Sequence, residues 1–151
     1  MVIMFCGIPG CGKTTIAKQL VENLQKVGTV KRFTSDELKP PVYEKFFKLL
    51  KENLGKFNFL IFDATFYKKR WQKKLVALAK GEKAITVYVY CSLKTAIERN
   101  KSRKSHIPEQ AIRSISRKME APENPEVIIN TESLSTNESV EEIIKEIKKV
   151  T

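Results

Sequence analysis

The feature that most constrains this chain is the eight-residue stretch 7–14. It reads Gly-Ile-Pro-Gly-Cys-Gly-Lys-Thr and fits G-x-x-x-x-G-K-[ST], the pattern of a phosphate-binding loop. Its glycines let consecutive N–H groups turn toward an anion, Lys13 adds a positive charge, and the Thr14 hydroxyl is a suitable Mg²⁺ ligand. An apolar, strand-like run precedes the stretch and a helical pattern follows it, which is the context that such a loop requires.

The stretch predicts ATP and Mg²⁺ as ligands. Backbone N–H groups would surround the phosphates, and the positive end of the following helix would face the same anion. The predicted ATP-binding residues of this part of the chain are Gly7, Pro9, Gly10, Cys11, Gly12, Lys13, Thr14 and Thr15.

Composition limits the other possibilities. A length of 151 residues predicts one domain spanning 1–151, and no apolar run approaches the ~20 residues of a membrane helix. The net charge of +11 favours an anionic partner, either a phosphate-rich small molecule or nucleic acid, although a lysine-rich solvated surface gives the same sum. Three cysteines without metal-like spacing, and no secretory signal, predict a cytoplasmic protein. Cys11 lies in the phosphate loop, where its thiol is expected to be open to oxidants.

Strand-like and helix-like segments alternate along the chain, which predicts an α/β fold. Strands are predicted at 2–6, 30–34, 57–62, 84–90 and 127–130. Helices are predicted at 13–27, 42–54, 68–80, from 93 toward 104, at 108–119, and after a capping box formed by Ser135 and Glu138.

Two acids follow predicted strands. Asp36 comes just after strand 30–34, where a carboxylate faces the ligand crevice of an open α/β sheet, so it is a candidate base or Mg²⁺ organiser. Asp63 ends a continuous apolar strand, as the acid of a Walker B arrangement does, and we expect it to hold Mg²⁺ with Thr14. Each acid has a simpler alternative role as an N-cap of the next helix.

Basic side chains follow Asp63 and recur near residue 100. Lys68 and Arg70 begin a helix with a basic face, which is either a phosphate or RNA track or a solvated surface. Arg99 and Arg103 share a helical face in a predicted lid at 99–108, where cations would close over a γ-phosphate. The further arginine candidates are Arg113 and Arg117. His106, in the same lid, is expected to be an exposed loop residue.

The chain resembles the P-loop kinases, which have a five-stranded parallel sheet sandwiched between helices. The stretch 119–126, with Thr131 and residues 138–140, looks like the end of adenylyl-sulfate kinases, in which this loop lies beside the ATP adenine. That resemblance adds Asn124 and Pro125 to the ATP-binding residues. Residues 35–36 and 65–68 resemble the acceptor loops of the same family, which makes Phe66 and Tyr67 acceptor ligands. The long lid of that family is replaced here by a shorter segment.

A second resemblance is to seryl-tRNA kinases and polynucleotide kinases. It is carried by residues 35–38, by 63–67 with Arg70, and by 98–100 with 107–108. The Elongator-regulating, tRNA-stimulated ATPase resembles the same motifs. These resemblances imply an RNA acceptor, or ATP hydrolysis without an acceptor.

The sequence thus predicts an ATP- and Mg²⁺-dependent kinase that phosphorylates a hydroxyl of an anionic, nucleotide-like acceptor, as adenylyl-sulfate kinase does. An RNA-directed kinase and a tRNA-stimulated ATPase remain alternatives, and the oligomeric state stays open. The predicted catalytic residues are Lys13, Asp36, Asp63, Arg99 and Arg103. The predicted Mg²⁺ ligands are Thr14, Asp63 and Asp36. The predicted acceptor ligands are Asp36, Phe66, Tyr67, Lys68, Arg70 and Arg113.

Overall fold

The computed structural model describes residues 1–104 and 107–151, so the expectation for His106 lies outside the described residues. Strands and helices alternate as predicted. The strands are β1 (Val2–Cys6), β2 (Val30–Thr34), β3 (Phe59–Asp63), β4 (Ala84–Tyr90) and β5 (Val127–Asn130). The helices are α1 (Lys13–Leu24), α2 (Val42–Asn53), α3 (Lys69–Leu78), α4 (Leu93–Lys101), α5 (Glu109–Lys118) and α6 (Thr136–Val150), with one 3-10 turn at Ser35–Glu37.

All five strands run parallel in one sheet of order β2-β3-β1-β4-β5. β1 is central because its run of apolar residues is buried on both faces. Asp63 pairs in register with Phe5 on one side and with Thr34 on the other. The ends of β1, β2 and β3 therefore meet at one edge, and the phosphate loop starts there.

The two faces of the sheet carry separate apolar clusters. Ile16 and Leu20 of α1 and Ile143 of α6 pack on one face, while Phe46 of α2 and Leu75 of α3 pack on the other. Helix-period apolar residues thus bury the sheet from both sides, and the predicted α/β sandwich is confirmed. The capping box of Ser135 and Glu138 at the start of α6 is also present.

Element ends differ from the predictions by a few residues. α1 stops at Leu24, where the Leu24 carbonyl accepts hydrogen bonds from the N–H groups of Val27 and Gly28. Val27 is 76% exposed and lies beyond the helix, which the sequence predicted to extend to residue 27. Among the described residues, no helix is long and apolar enough to cross a membrane.

Candidate nucleotide site

A cavity of about 420 Å³ opens at the carboxyl ends of the strands, next to the phosphate loop. We call one group of lining residues, formed by 9–10, 12–15 and Asp63, the phosphate side. We call a second group, formed by Ser35, Asp36 and Arg103, the open side. The remaining residues that line the cavity are Lys18, Thr34, Ala64, Thr65, Arg99 and Ile107.

Tight packing fixes the path of the phosphate loop. Gly10 has φ +85°, and a Cβ there would lie 2.3 Å from the carbonyl oxygen of Ala96 in α4. The Gly7 N–H donates to the Thr65 carbonyl, which links the loop to the segment after β3. The loop can therefore follow this path only with glycine at position 10.

Lys13, the first residue of α1, is buried, with 7% of the residue exposed. Its Nζ donates to the Ile8 carbonyl at 3.0 Å, so the side chain curls back over the loop. The ammonium group thus places a buried positive charge on the phosphate side.

Asp63 is the acid that the strand-end pattern predicts, and it is 2% exposed. Its Oδ2 accepts a hydrogen bond from the Thr14 hydroxyl at 3.2 Å and from Nη2 of Arg32 at 3.1 Å. Thr14 is the partner that the sequence predicts for Asp63, and Arg32 is a second partner that was not predicted. The sequence feature that could have indicated Arg32 is its position in a short strand, two residues before Thr34. Thr34 is the register partner of Asp63.

Arg99 lines the cavity and also contacts the phosphate loop at Cys11. Its guanidinium donates to the hydroxyl of Thr131 at 2.7 Å, to the carbonyl of Thr131 at 3.1 Å, and to the carbonyl of Cys11 at 3.4 Å. The Thr131 hydroxyl also donates to the Cys11 carbonyl at 2.8 Å. Cys11 is fully buried, so the expectation of a thiol open to oxidants is wrong.

The open side is held by weaker contacts. Nη2 of Arg103 lies 3.9 Å from Oδ2 of Asp36, and both side chains are largely exposed, at 41% and 63%. The base of the predicted lid is firmer, because the buried Asn100 amide bonds both the N–H and the carbonyl of Ile107.

Phe66, which follows β3, lies in the core. Phe66 has φ +47° and is fully buried, so its predicted role as an acceptor ligand is wrong. Its N–H donates to the Tyr43 hydroxyl, and its carbonyl accepts from the Gln72 amide. Burial raises the pKa of the Tyr43 phenol above its ordinary value. Tyr67 packs edge-to-face on Trp71.

The four remaining predicted acceptor ligands lie outside the cavity. Arg70 and Lys68 lie over the rings of Trp71 and Tyr67, and neither they nor Tyr67 line the cavity. Arg113 pairs with Glu109 and lines a groove beside α4.

The predicted adenine-side loop also lies elsewhere. Asn124 and Pro125 precede β5, and Asn124 lines a different cavity beside α3. The residue next to the phosphate loop is Thr131, which follows β5 and contacts the Cys11 carbonyl. We therefore leave Asn124 and Pro125 out of the ATP site proposed below.

The oxygen atoms present fit Mg²⁺ bound together with a triphosphate. Mg²⁺ usually takes one or two protein oxygens and fills its remaining positions with water and substrate phosphates. Thr14 and Asp63 supply two such oxygens next to the loop. Within residues 1–104 and 107–151, no cluster of three metal-binding side chains offers a self-sufficient metal site.

Sheet order and phosphate loop together define the fold class of P-loop kinases, which confirms the resemblance and fold class inferred from the sequence. A family model described as chromatin associated protein KTI12 matches residues 1–151. The chain belongs to this family.

Two curated relatives are kinases. The L-seryl-tRNA(Sec) kinase of Methanococcus maripaludis is 26% identical over 167 aligned positions, covering 96% of this chain and 65% of that protein. The adenylyl-sulfate kinase of Staphylococcus epidermidis is 30% identical over 169 positions, covering 97% of this chain and 83% of that protein. The chain thus spans less than two thirds of the seryl-tRNA kinase.

A solved structure has the same fold. Chaetomium thermophilum Kti12 in complex with ADP-AlF3 superposes with a TM-score of 0.76 at 18% identity, covering 97% of this chain and 99% of that chain. At this identity the likeness establishes the fold.

Proposed function

We propose that the chain is an ATP- and Mg²⁺-dependent phosphotransferase that moves the γ-phosphate to a hydroxyl of an anionic, nucleotide-like acceptor. The observation that carries the proposal is that one cavity is lined both by Lys13, Thr14 and Asp63 on its phosphate side and by Asp36 and Arg103 on its open side. Phosphoryl transfer depends mainly on positioning and on neutralising charge, and this arrangement supports both.

Each side of the cavity has its own part in the proposal. Backbone N–H groups of residues 9–15 hold the phosphates, Lys13 neutralises charge on the transferred group, and Thr14 with Asp63 holds Mg²⁺, which supplies electrostatic stabilisation when bound. Asp36 orients or deprotonates the acceptor hydroxyl, and Arg103 lies beside it to meet the acceptor's negative charge. Arg99 supports the loop from behind through Cys11 and Thr131.

A second candidate is ATP hydrolysis stimulated by RNA. Two observations favour it: Phe66 is buried and offers no ring to an acceptor, and Asp36 already has Arg103 as a partner. In hydrolysis the acceptor is water, which needs fewer binding contacts than a nucleotide does. A cavity whose open side is held by weak contacts is therefore compatible with hydrolysis. The net charge of +11 is consistent with an RNA activator.

The test is transfer from γ-labelled ATP in three parallel reactions, with adenylyl sulfate, with bulk tRNA, and with no acceptor. Label on the small nucleotide or on RNA supports the phosphotransferase and identifies the acceptor class. Free phosphate alone, raised by tRNA, supports the second candidate. ATP binding without label on any product contradicts both.

A further inference from the structure

Arg32 is a charged residue inside the sheet, and nothing above gives it a function beyond pairing. It is the register partner of Ile61, which belongs to the core cluster beneath α1, so its side chain points to the face that α1 covers. That side chain is 17% exposed. Its Nε is buried and has no hydrogen-bond partner in the part of the chain that the structure describes.

Stability alone does not explain an arginine at this position. A buried donor without a partner destabilises the folded state, and a buried ion pair can often be replaced by apolar residues without loss. The neighbour on the same strand, Lys31, is exposed, and its side chain belongs to the opposite face of the sheet. The sheet thus holds one arginine under α1, against an acid that lines the nucleotide cavity.

The contacts show which atom of Asp63 is engaged. Arg32 and Thr14 both donate to Oδ2, and within the described ranges no hydrogen bond to Oδ1 is found. Asp63 lines the cavity. The pairing therefore fixes the carboxylate by one oxygen and leaves the other for the cavity.

We propose that Arg32 is a positioning residue that makes divalent-cation binding at Asp63 depend on bound nucleotide. The proposal rests on the ATP and Mg²⁺ site of the proposed function. Arg32 cancels the charge of Asp63, and the other charged residues of the cavity give a positive balance: Lys13, Lys18, Arg99 and Arg103 against Asp36. A free cation is repelled from such a cavity, whereas a triphosphate reverses the sign of its charge.

The test is Mn²⁺ binding measured by electron paramagnetic resonance without nucleotide, and again with a non-hydrolysable ATP analogue. We expect the wild type to bind Mn²⁺ weakly alone and tightly with the analogue. Arg32→Met should bind Mn²⁺ alone about tenfold or more tightly than wild type, because one nearby positive charge is gone. Lys31→Met, which removes the same charge from the opposite face of β2, should behave as wild type.

Two more variants separate charge from structure. Arg32→Gln keeps an N–H donor for Asp63 without the charge, so it should also bind free Mn²⁺ more tightly, and it serves if Arg32→Met does not fold. Arg32→Lys keeps the charge and should bind free Mn²⁺ as weakly as wild type. Folded Arg32→Met or Arg32→Gln protein with wild-type or weaker affinity for free Mn²⁺ overturns the proposal. The measurement needs no acceptor, so absence of phosphoryl transfer does not affect it.

Discussion

The phosphate side of the cavity is buried and bonded to its surroundings, whereas the open side faces solvent. Lys13 is 7% exposed and Asp63 is 2% exposed. Asp36 is 63% exposed, and its ion pair with Arg103 spans 3.9 Å. An exposed pair of this kind contributes only about 0–1 kcal/mol, so it can exchange for a ligand at little cost.

This difference in burial indicates that the fold fixes the residues proposed to bind phosphate more firmly than those proposed to bind the acceptor. A preorganised phosphate side can recognise a triphosphate without rearranging, and preorganisation is what makes electrostatic stabilisation effective. Under the proposed function, an acceptor or partner would supply the contacts that the open side lacks. The two curated relatives carry the names of kinases with different acceptors, L-seryl-tRNA(Sec) and adenylyl sulfate.

The largest effect should come from the phosphate side. Lys13→Met removes the buried ammonium group, and we expect turnover of ATP to fall about 10³-fold. Lys18→Met is the matched control, since Lys18 lines the same cavity but is exposed. Turnover is measured as phosphate released or transferred from γ-labelled ATP. Equal turnover in Lys13→Met and wild type would show that the phosphate side does not carry the chemistry.

Asp36→Asn tests the open side. We expect transfer to the acceptor to fall about 10²-fold, the lower range for loss of a general base, while ATP affinity is unchanged. Glu37→Gln, one residue along and equally exposed, is the control. A fall in ATP affinity with Asp36→Asn would mean that the two sides are not independent.

The sequence predicted the phosphate side well for a physical reason. The loop is a continuous stretch whose glycines, lysine and threonine each meet a local requirement, and Asp63 follows from the end of a buried strand. Arg32 could not be predicted in the same way. In the sequence it looks like its neighbour Lys31, and only the three-dimensional register brings it to Asp63.

Asp36 and Arg103 line the cavity as predicted, whereas other predicted ligands do not, because the direction of a side chain depends on the local backbone. Phe66 was interpreted as a ligand, but its left-handed backbone conformation turns the ring into the core, where it stacks on Phe46. Asn124 was assigned to the adenine side from a resemblance between loops, but it lines a different cavity, beside α3. Resemblance of a short loop does not determine which cavity its side chains line.

Gln72→Leu tests which contacts hold the segment around Phe66, after β3, in place. The Gln72 amide donates to the carbonyls of Phe66 and Glu120, and the leucine would leave both without that donor. We expect the free energy of unfolding to fall by about 1–3 kcal/mol, measured by urea denaturation. Gln25→Leu, at an exposed position after α1, should change it by less than about 0.5 kcal/mol. Equal stability of the two variants would mean that packing of the rings alone fixes this segment.

The smallest expected effect is a difference in thiol reactivity between Cys11, in the phosphate loop, and Cys91, outside it. Cys11 is fully buried, whereas Cys91 is half-buried. Burial, with a smaller contribution from nearby Cys11, raises the pKa of the Cys91 thiol above its usual value. We expect iodoacetamide to modify Cys91 slowly at pH 7, because little thiolate is present, and about tenfold faster for each unit of pH below that pKa.

Peptide mass spectrometry distinguishes the thiols during this reaction. Cys11 should stay unmodified in the native protein and react once the chain is unfolded in urea, so the unfolded sample serves as its own control. A native Cys11 that reacts as fast as Cys91 would mean that the phosphate loop opens in solution without a ligand. That result would contradict the contrast between a preformed phosphate side and an incomplete open side, because Cys11 is a buried residue of the loop whose carbonyl accepts a hydrogen bond from Thr131.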